Sequence, residues 1–391
     1  MNILMLNHNR IWESTFNRAF YFGRSLAEFG HTVTVVTNAK KRLLLFNEFE
    51  HQGVTIIETP DLLWGKLRTG WDLVNALRRM HYLKEKHFDI IHAFDCRPVV
   101  IFPALYLKSK LEIPLVIDWA DWWGRGGAIK LRDSLIFNKL FEPIETFFEE
   151  YFRKYAEYTT VISSLLKKRA ISLGVDEQKI KLVFHGCDTQ EIVPLNKIEA
   201  RRELNLQQYK FIVVFSGFVL YDFNMALESF FLALKKCPDT LLILTGSYEM
   251  LREGNGGRFR NSKNILFLGF LSKDKYNQVL GASDLCLLPL SDNLANRARY
   301  PGRIGDYMSA GRPIISNDVG DIGRIIKDND IGILTKPDAK SFSEGIIDAL
   351  NDPVNREKWG CNARAVAEEK LSFNILSREF ENIYLDLVNR G

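Results

Sequence analysis

No two of the five cysteines (Cys96, Cys187, Cys237, Cys286, Cys361) stand close enough for a CxxC pair, and no histidine lies at ligand spacing from them. That pattern excludes a structural zinc site, and an odd, dispersed set excludes a disulfide framework. A reduced, cytoplasmic protein is expected. Long apolar runs are missing as well: no segment approaches the roughly 18 consecutive apolar residues of a membrane span. The opening MNILMLNHNRIWE turns polar at Asn7 and reads as a first strand, not as a signal peptide. Charge of one sign is scarce. With 52 basic against 48 acidic side chains the net charge is +4, which excludes a dedicated nucleic-acid binder and makes any anion site a local one. Tandem repeats and low-complexity segments are absent.

What is present is the material of two α/β domains. At 391 residues the chain exceeds one ordinary domain, and 46% hydrophobic with 26% charged residues supplies two cores. Apolar Ile3 to Leu6, a helical pattern from Thr15 to Phe29 and the β-branched run Thr32 to Thr37 form a βαβ unit. Strand-like runs recur at 54–57, 90–93, 115–117 and 159–162, and a second series at 211–215, 241–244, 265–268, 285–288, 314–316 and 332–334. Continuous apolar runs of this kind are buried parallel strands. The join falls near 186–200, where Gly186 and Pro194 interrupt the pattern. The expected domains are 1–190 and 191–371. The last helical stretch, 372–391, either caps the second half or crosses back; it is assigned to the first.

Several segments carry possible chemistry. Arg297, Arg299 and Arg303 precede Asp306 and Tyr307 on a helix that stops at Gly311. Guanidinium forks match phosphate oxygens, and a carboxylate near a helix start can accept from a ribose diol; a solvated basic loop is the plainer alternative. In DWADWWGRGG (118–127), Asp118 and Asp121 beside Trp122 and Trp123 follow a strand end, where open α/β sheets bind ligands. Indole faces stack on sugars and carboxylates hold hydroxyls, although the tryptophans can equally be packing. Asp95 and His92 lie at the preceding strand end. Ser14 or Thr15 is read as an N-cap. The aromatic helix 137–155 is expected to pack inside on its sheet, with 39–46 the better candidate for membrane contact.

The segments ASDLCLLPL (282–290), YPGRIGDYMSAGRPII (300–315) and NDVGDIGRIIKDNDIGIL resemble the donor-binding half of family-4 retaining glycosyltransferases of the GT-B fold. LAEFGHTVTVVT, FDIIHAFD, VISS, KLVFHGCDT, FLGFLSKDKY and LSFNILSREFENIY extend the resemblance over nearly the whole chain. It implies two Rossmann-like domains facing across a cleft and retaining sugar transfer to a saccharide or lipid-linked acceptor. The nucleotide sugar is then a substrate, and neither cofactor nor metal is required. It places Asp306 on the ribose and Arg303 at a basic position, with Tyr307 and Gly311 matching. Gly217 lies beneath the phosphates, and backbone groups of Gly269, Phe270 and Leu271 read the base. The family's second acid falls on Ala298, for which Asn296, Asn293 or Asp292 is the substitute. Its two phosphate cations fall on Phe218 and Tyr221, so Arg297 and Arg299 join Arg303 there. Asp118 and Asp121 stand where the family often has a histidine and, with Arg303, are the catalytic candidates; Asp95, Trp122 and Trp123 are assigned to the acceptor. Peripheral membrane contact is the remaining partner expected, and nucleic acid is not. A non-catalytic nucleotide- or carbohydrate-binding protein of the same fold, and a nucleotide-sugar epimerase, stay as alternatives.

Overall fold

The computed structural model describes residues 1–40, 44–61, 69–131, 135–218, 222–247 and 262–390. Two compact units emerge: Met1–Gly186 with Ala298–Tyr300 and Phe373–Gly391, and Cys187–Arg297 with Pro301–Ser372. The helix Phe373–Asn389 therefore belongs with the first unit.

In the first unit eight strands form one sheet: β1 (Asn2–Arg10), β2 (Thr32–Asn38), β3 (Asn47–His51), β4 (Val54–Thr59), β5 (Ile90–Phe94), β6 (Leu115–Trp119), β7 (Tyr158–Val161) and β8 (Ile180–Leu182). Their order is β3-β4-β2-β1-β5-β6-β7-β8, all parallel except β3 against β4. Strands β3 and β8 were not expected. NEFEH is charged and lies on an exposed edge, and β8 is three residues long, so neither carries an apolar run. Both faces of the sheet are covered. Ile3 and Met5 pack into one core with Phe16, Phe22, Phe380 and Tyr384; Leu4 and Leu6 pack into the other with Val99, Leu107 and Phe152.

Helix starts follow side-chain acceptors. Asp72 caps Leu73–Leu83 by accepting from Val74 and Asn75 N–H at 2.9 and 3.1 Å. The cap expected at Ser14 or Thr15 is not made by either. Ser14 has φ +39 and no capping bond, and the Asn9 side chain accepts from Thr15 N–H at 3.2 Å. The segment 137–155 packs on its sheet through Phe148 and Phe152 as expected, but the helix Leu135–Tyr151 also buries Glu145 and Glu149 and leaves Leu140, Ile144, Phe147 and Tyr151 exposed.

The second unit has a six-stranded parallel sheet: β9 (Phe211–Phe218), β10 (Thr240–Ser247), β11 (Ile265–Gly269), β12 (Leu285–Leu288), β13 (Ile314–Asn317) and β14 (Gly332–Thr335), in the order β11-β10-β9-β12-β13-β14. The order of the parallel strands reverses between β1 and β5 in the first sheet and between β9 and β12 in the second. Crevices at such switch points, outside the carboxyl ends of the strands, are where α/β sheets bind ligands.

Candidate functional site

At the switch point of the second unit β9 runs out in Ser216 and Gly217. Gly217 has φ +148, and a Cβ there would collide with Nη1 of Arg303. Only glycine leaves room for the guanidinium. Arg303 Nη1 donates to the Ser216 carbonyl at 2.6 Å, and its guanidinium carbon lies 4.9 Å from the Phe215 ring centroid. Its Nε and Nη2 are buried and find no hydrogen-bond partner among the described residues. Two unsatisfied donors on a permanent cation are costly unless an acceptor fills the site. Tyr307, assigned to the donor from the sequence, is instead fully buried: its hydroxyl accepts from Ser216 N–H at 3.0 Å and faces the Leu287 carbonyl at 3.4 Å. Its role is to fix the β9 end on which Arg303 rests.

One turn on, Asp306 is half-buried, and burial pushes its carboxyl up to about 6 against the opposing charge of Lys273. Asp188 raises it further, and the Tyr276 hydroxyl draws it down. Lys273 is shared, with its Nζ 3.1 Å from Asp188 and 3.5 Å from Glu191. Lys273 and Tyr276 stand in the quoted run FLGFLSKDKY, and Asp188 in KLVFHGCDT; those runs were read for pattern and backbone, so the charged set was missed. Gly269, at the end of β11, has φ +65, Phe270 is 75% exposed and Leu271 is half-buried.

The other residues of the arginine cluster separate. Arg297 is exposed, and its fork is engaged by both carboxylate oxygens of Asp292 at 2.5 and 2.7 Å. Ala298–Tyr300 belongs to the first unit, where Tyr300 stacks on Phe184 at 5.0 Å and Arg299 bears electrostatically on Asp121. Asn296 is buried, and its Nδ2 donates to Asp222 and to the Ser291 carbonyl, both at 2.8 Å. Its amide nitrogen is thereby taken up inside the unit, and Oδ1 finds no partner among the described residues. Tyr221 lies outside the described residues, as does the side chain of Phe218.

In the first unit, the switch point is marked by His8 near the end of β1 and Asp95 just after β5, with Nδ1 of His8 3.1 Å from Asp95. Asp95 has φ +95, a conformation that non-glycine residues rarely hold and that gathers at functional sites. Burial raises its carboxyl, but His8 and Arg97 more than offset this and hold it low.

Asp118, a catalytic candidate from the sequence, has another task. It is 1% exposed, and its oxygens receive Arg18 Nε and Nη2 at 3.0 and 2.9 Å and the Thr160 hydroxyl at 2.6 Å. Because Thr160 donates to Asp118, it accepts from His92 Nε2 at 3.2 Å; Nδ1 of His92 then accepts from the Tyr384 hydroxyl. Burial lowers the His92 imidazole to about 3, which keeps it neutral in this chain. The network ties the helix Phe373–Asn389 to β5, β6 and β7, and no oxygen of Asp118 is open to substrate.

Asp121 differs in every respect. It is half-buried, no hydrogen bond reaches its carboxylate from the described residues, and burial pushes it up to about 6 against the pull of Arg299. Its loop is clamped by Glu149, which accepts from Trp119 Nε1 at 3.0 Å and from the N–H groups of Trp123 and Gly124 at 2.8 Å. Burial takes Glu149 up to about 7 despite these bonds. Sequence reading missed Glu149, which sits about thirty positions downstream in an unremarkable EE pair. Trp122 is 9% exposed with Arg169 over its ring at 5.2 Å, so it is a packing residue and not a sugar platform. Trp123 stays half-exposed, with Arg97 5.2 Å over its ring.

Among the described residues no group of three or more His, Cys, Asp or Glu side chains is arranged to hold a metal ion. Nor is any described helix long and apolar enough to cross a membrane.

Comparison with known proteins agrees with this architecture. Residues 17–191 match the profile of Glycosyltransferase Family 4, and residues 196–366 that of Glycosyl transferases group 1. An uncharacterized glycosyltransferase of Methanocaldococcus jannaschii is 24% identical over 320 residues, 78% of this chain and 77% of its own. The chitobiosyldiphosphodolichol beta-mannosyltransferase of Debaryomyces hansenii is 22% identical over 62% of this chain and 55% of its own. Among solved structures, sucrose-phosphate synthase from Thermosynechococcus elongatus covers both chains fully, with a TM-score of 0.76 at 17% identity. Anabaena HepE in complex with UDP-glucose reaches 0.74 at 17% identity, covering 99% of this chain and 100% of its own. With both halves matched in order and a largely parallel sheet in each unit, the chain belongs to the group 1, family-4-like glycosyltransferases of the GT-B fold, enzymes that draw on a nucleotide sugar.

Proposed function

We propose that the protein transfers a hexosyl group from a nucleoside-diphosphate sugar to a hydroxyl of a saccharide or lipid-linked acceptor, with retention of configuration and without a metal ion. The observation that carries this reading is Arg303, whose buried Nε and Nη2 find no acceptor among the described residues at the second sheet's switch point. Diphosphate oxygens supply those acceptors, and the charge that builds on the departing phosphate meets a cation already in position. Asp306 accepts from the ribose, with Lys273 and Tyr276 holding it. In the transfer the sugar C1–O bond to phosphate breaks, the leaving phosphate oxygen takes the acceptor hydroxyl's proton, and the acceptor oxygen bonds C1 on the same face. Asp95, Asp121 and Trp123 of the first unit serve the acceptor.

A second reading is favoured by Asp121 alone. A half-buried carboxylate raised to about 6 and without a hydrogen bond from the described residues suits a general base, which would take the acceptor proton on the opposite face and invert the anomeric centre. The names of similar proteins carry linkages of both senses, beta-mannosyl and alpha-1,3/1,6-mannosyl. Proton NMR of the first-formed product separates the two readings: donor and product of the same anomeric sense support retention, and opposite senses support Asp121 as base. Turnover surviving exhaustive chelation supports the metal-free reading; loss of turnover restored by a divalent cation rejects it.

A further inference from the structure

A group of buried polar side chains lies at the carboxyl ends of β2 and β4, and the transfer scheme makes no use of it. At its centre is Asn38, the last residue of β2, whose Oδ1 receives Arg79 Nη2 at 2.6 Å. Arg79 is fully buried, and its other bonds go to the Thr59 hydroxyl and to the carbonyls of Asn7 and Val99. With Oδ1 of Asn38 turned to a guanidinium, its Nδ2 is the donor, reaching the His8 carbonyl at 2.8 Å and Asp61 Oδ2 at 3.4 Å. Asn75 Nδ2 donates to the same Asn38 Oδ1 at 3.0 Å, which fixes the orientation of the Asn75 amide as well.

Two acceptors are left over. Oδ1 of Asp61 and Oδ1 of Asn75 are buried and find no hydrogen-bond partner among the described residues. Asn75 is 1% exposed, and both side chains hang from the one Asn38 amide, so the two oxygens belong to one place. Burial and the nearby Asp72 push the Asp61 carboxyl up to about 6, against Arg79, Arg10 and the Gly70 N–H. Asp72 itself is occupied as the cap of the helix Leu73–Leu83. Buried acceptors left unfilled cost stability, and native folds hold few of them. The place adjoins the first switch point. Gly70 has φ +92, and a Cβ there would meet His8 Cβ at 2.8 Å and Arg97 Cδ at 3.0 Å, so this segment is pressed against the His8 and Asp95 pair.

We infer that Asp61 and Asn75 bind hydroxyl groups of a saccharide and that this saccharide is the acceptor; the second clause rests on the transferase reading, and the first does not. What the place lacks is hydrogen-bond donors, which hydroxyls supply and a phosphate does not. A cationic ligand is the poorer match, because Arg10 and Arg79 already bear on Asp61. A site built to receive a hydroxyl rejects the analogue that lacks it, since its buried acceptors then stay unpaired.

Ligand-observed NMR on the full chain tests this with the methyl glycosides of glucose, galactose, mannose and N-acetylglucosamine, and with monodeoxy analogues of the one that binds most tightly. Asp61→Asn, which turns the open acceptor into a donor, is expected to weaken that glycoside about tenfold, and Asn75→Ala gives the second arm. Nucleoside-diphosphate affinity, read by calorimetry, should move in neither variant. Asp61→Asn should melt no lower than the parent at about pH 7, because burial disfavours the charge it removes. One deoxy analogue should cost the parent about tenfold and Asp61→Asn almost nothing, a coupling that a purely structural residue does not show. No glycoside binding to the folded chain, both variants binding as the parent does, or every deoxy analogue costing parent and variant alike overturns the proposal and leaves the two oxygens to water. A chain that binds the glycoside through Asp61 but takes up no nucleoside diphosphate sinks the transferase reading instead and leaves this site standing.

Discussion

Arg303 fills the volume that a side chain at position 217 would need, and it donates from that place to the carbonyl of Ser216 next door. The two positions are 86 residues apart (303 − 217), so the fit is one of tertiary structure. Gly217→Ala should therefore displace the guanidinium and weaken nucleoside-diphosphate binding as well as lower the melting temperature. In an Arg303→Ala background the steric part of that cost disappears. A double-mutant cycle should show coupling of about 0.5–3 kcal/mol; additive effects would separate the two residues.

Removing the cation is expected to act on chemistry. Arg303→Ala should lower turnover by about 10²-fold or more, the scale of losing a preorganised electrostatic group. Lysine should rescue only part of this, because it lacks the planar fork. Full rescue by lysine would reduce the role to charge alone.

Asp306→Ala should weaken nucleotide binding by about 1.5–3 kcal/mol, the range for a hydrogen bond to a charged group, without unfolding the second unit. The raised carboxyl gives a pH signature. Folding takes Asp306 from 3.8 to about 6, so between those values the folded state binds more protons than the unfolded one. Its contribution to stability is complete below about pH 4 and is lost as pH rises through 6. Ribose recognition needs the ionised form and runs the other way: affinity should climb from pH 5 to 7 and flatten in Asp306→Asn. An unchanged climb in that variant would assign the titration elsewhere.

Arg18 and Asp118 form a pair buried on both sides, at 2% and 1% exposure. Removing one partner strands a buried charge, so Arg18→Met should cost roughly 3–5 kcal/mol. Nucleoside-diphosphate affinity of the folded fraction should not change. Thermal melting combined with titration calorimetry checks both halves of this expectation.

Much of the fold was legible because buried parallel strands announce themselves as apolar runs; β3 and β8 were not, since an exposed charged edge and a three-residue strand leave no such run. In the site, residue type and order were enough to single out Arg303, Asp306 and Asp121, whose environments prove unusual. Burial was not legible. Asp118 and Asp121 are three apart in one motif, yet Arg18, a hundred residues away, takes up the first, while no hydrogen bond from the described residues reaches the carboxylate of the second. Arg297 and Arg303 look equivalent in a basic cluster, but Asp292 claims one while glycine at 217 makes a seat for the other. The two buried acids of the helix at 135–151 escaped for a related reason: what lies against Glu145 and Glu149 is Arg97 and the Trp119 loop, neither of which the helix's own periodicity contains.

The most direct test is to follow the Arg303 Nε–H resonance, assigned by its loss in Arg303→Lys, while nucleoside diphosphate is titrated into the full-length protein. If Arg303 holds the diphosphate, this signal moves downfield and saturates in step with site occupancy measured by calorimetry. A diphosphate that binds while the Arg303 resonance stays in place would contradict the account.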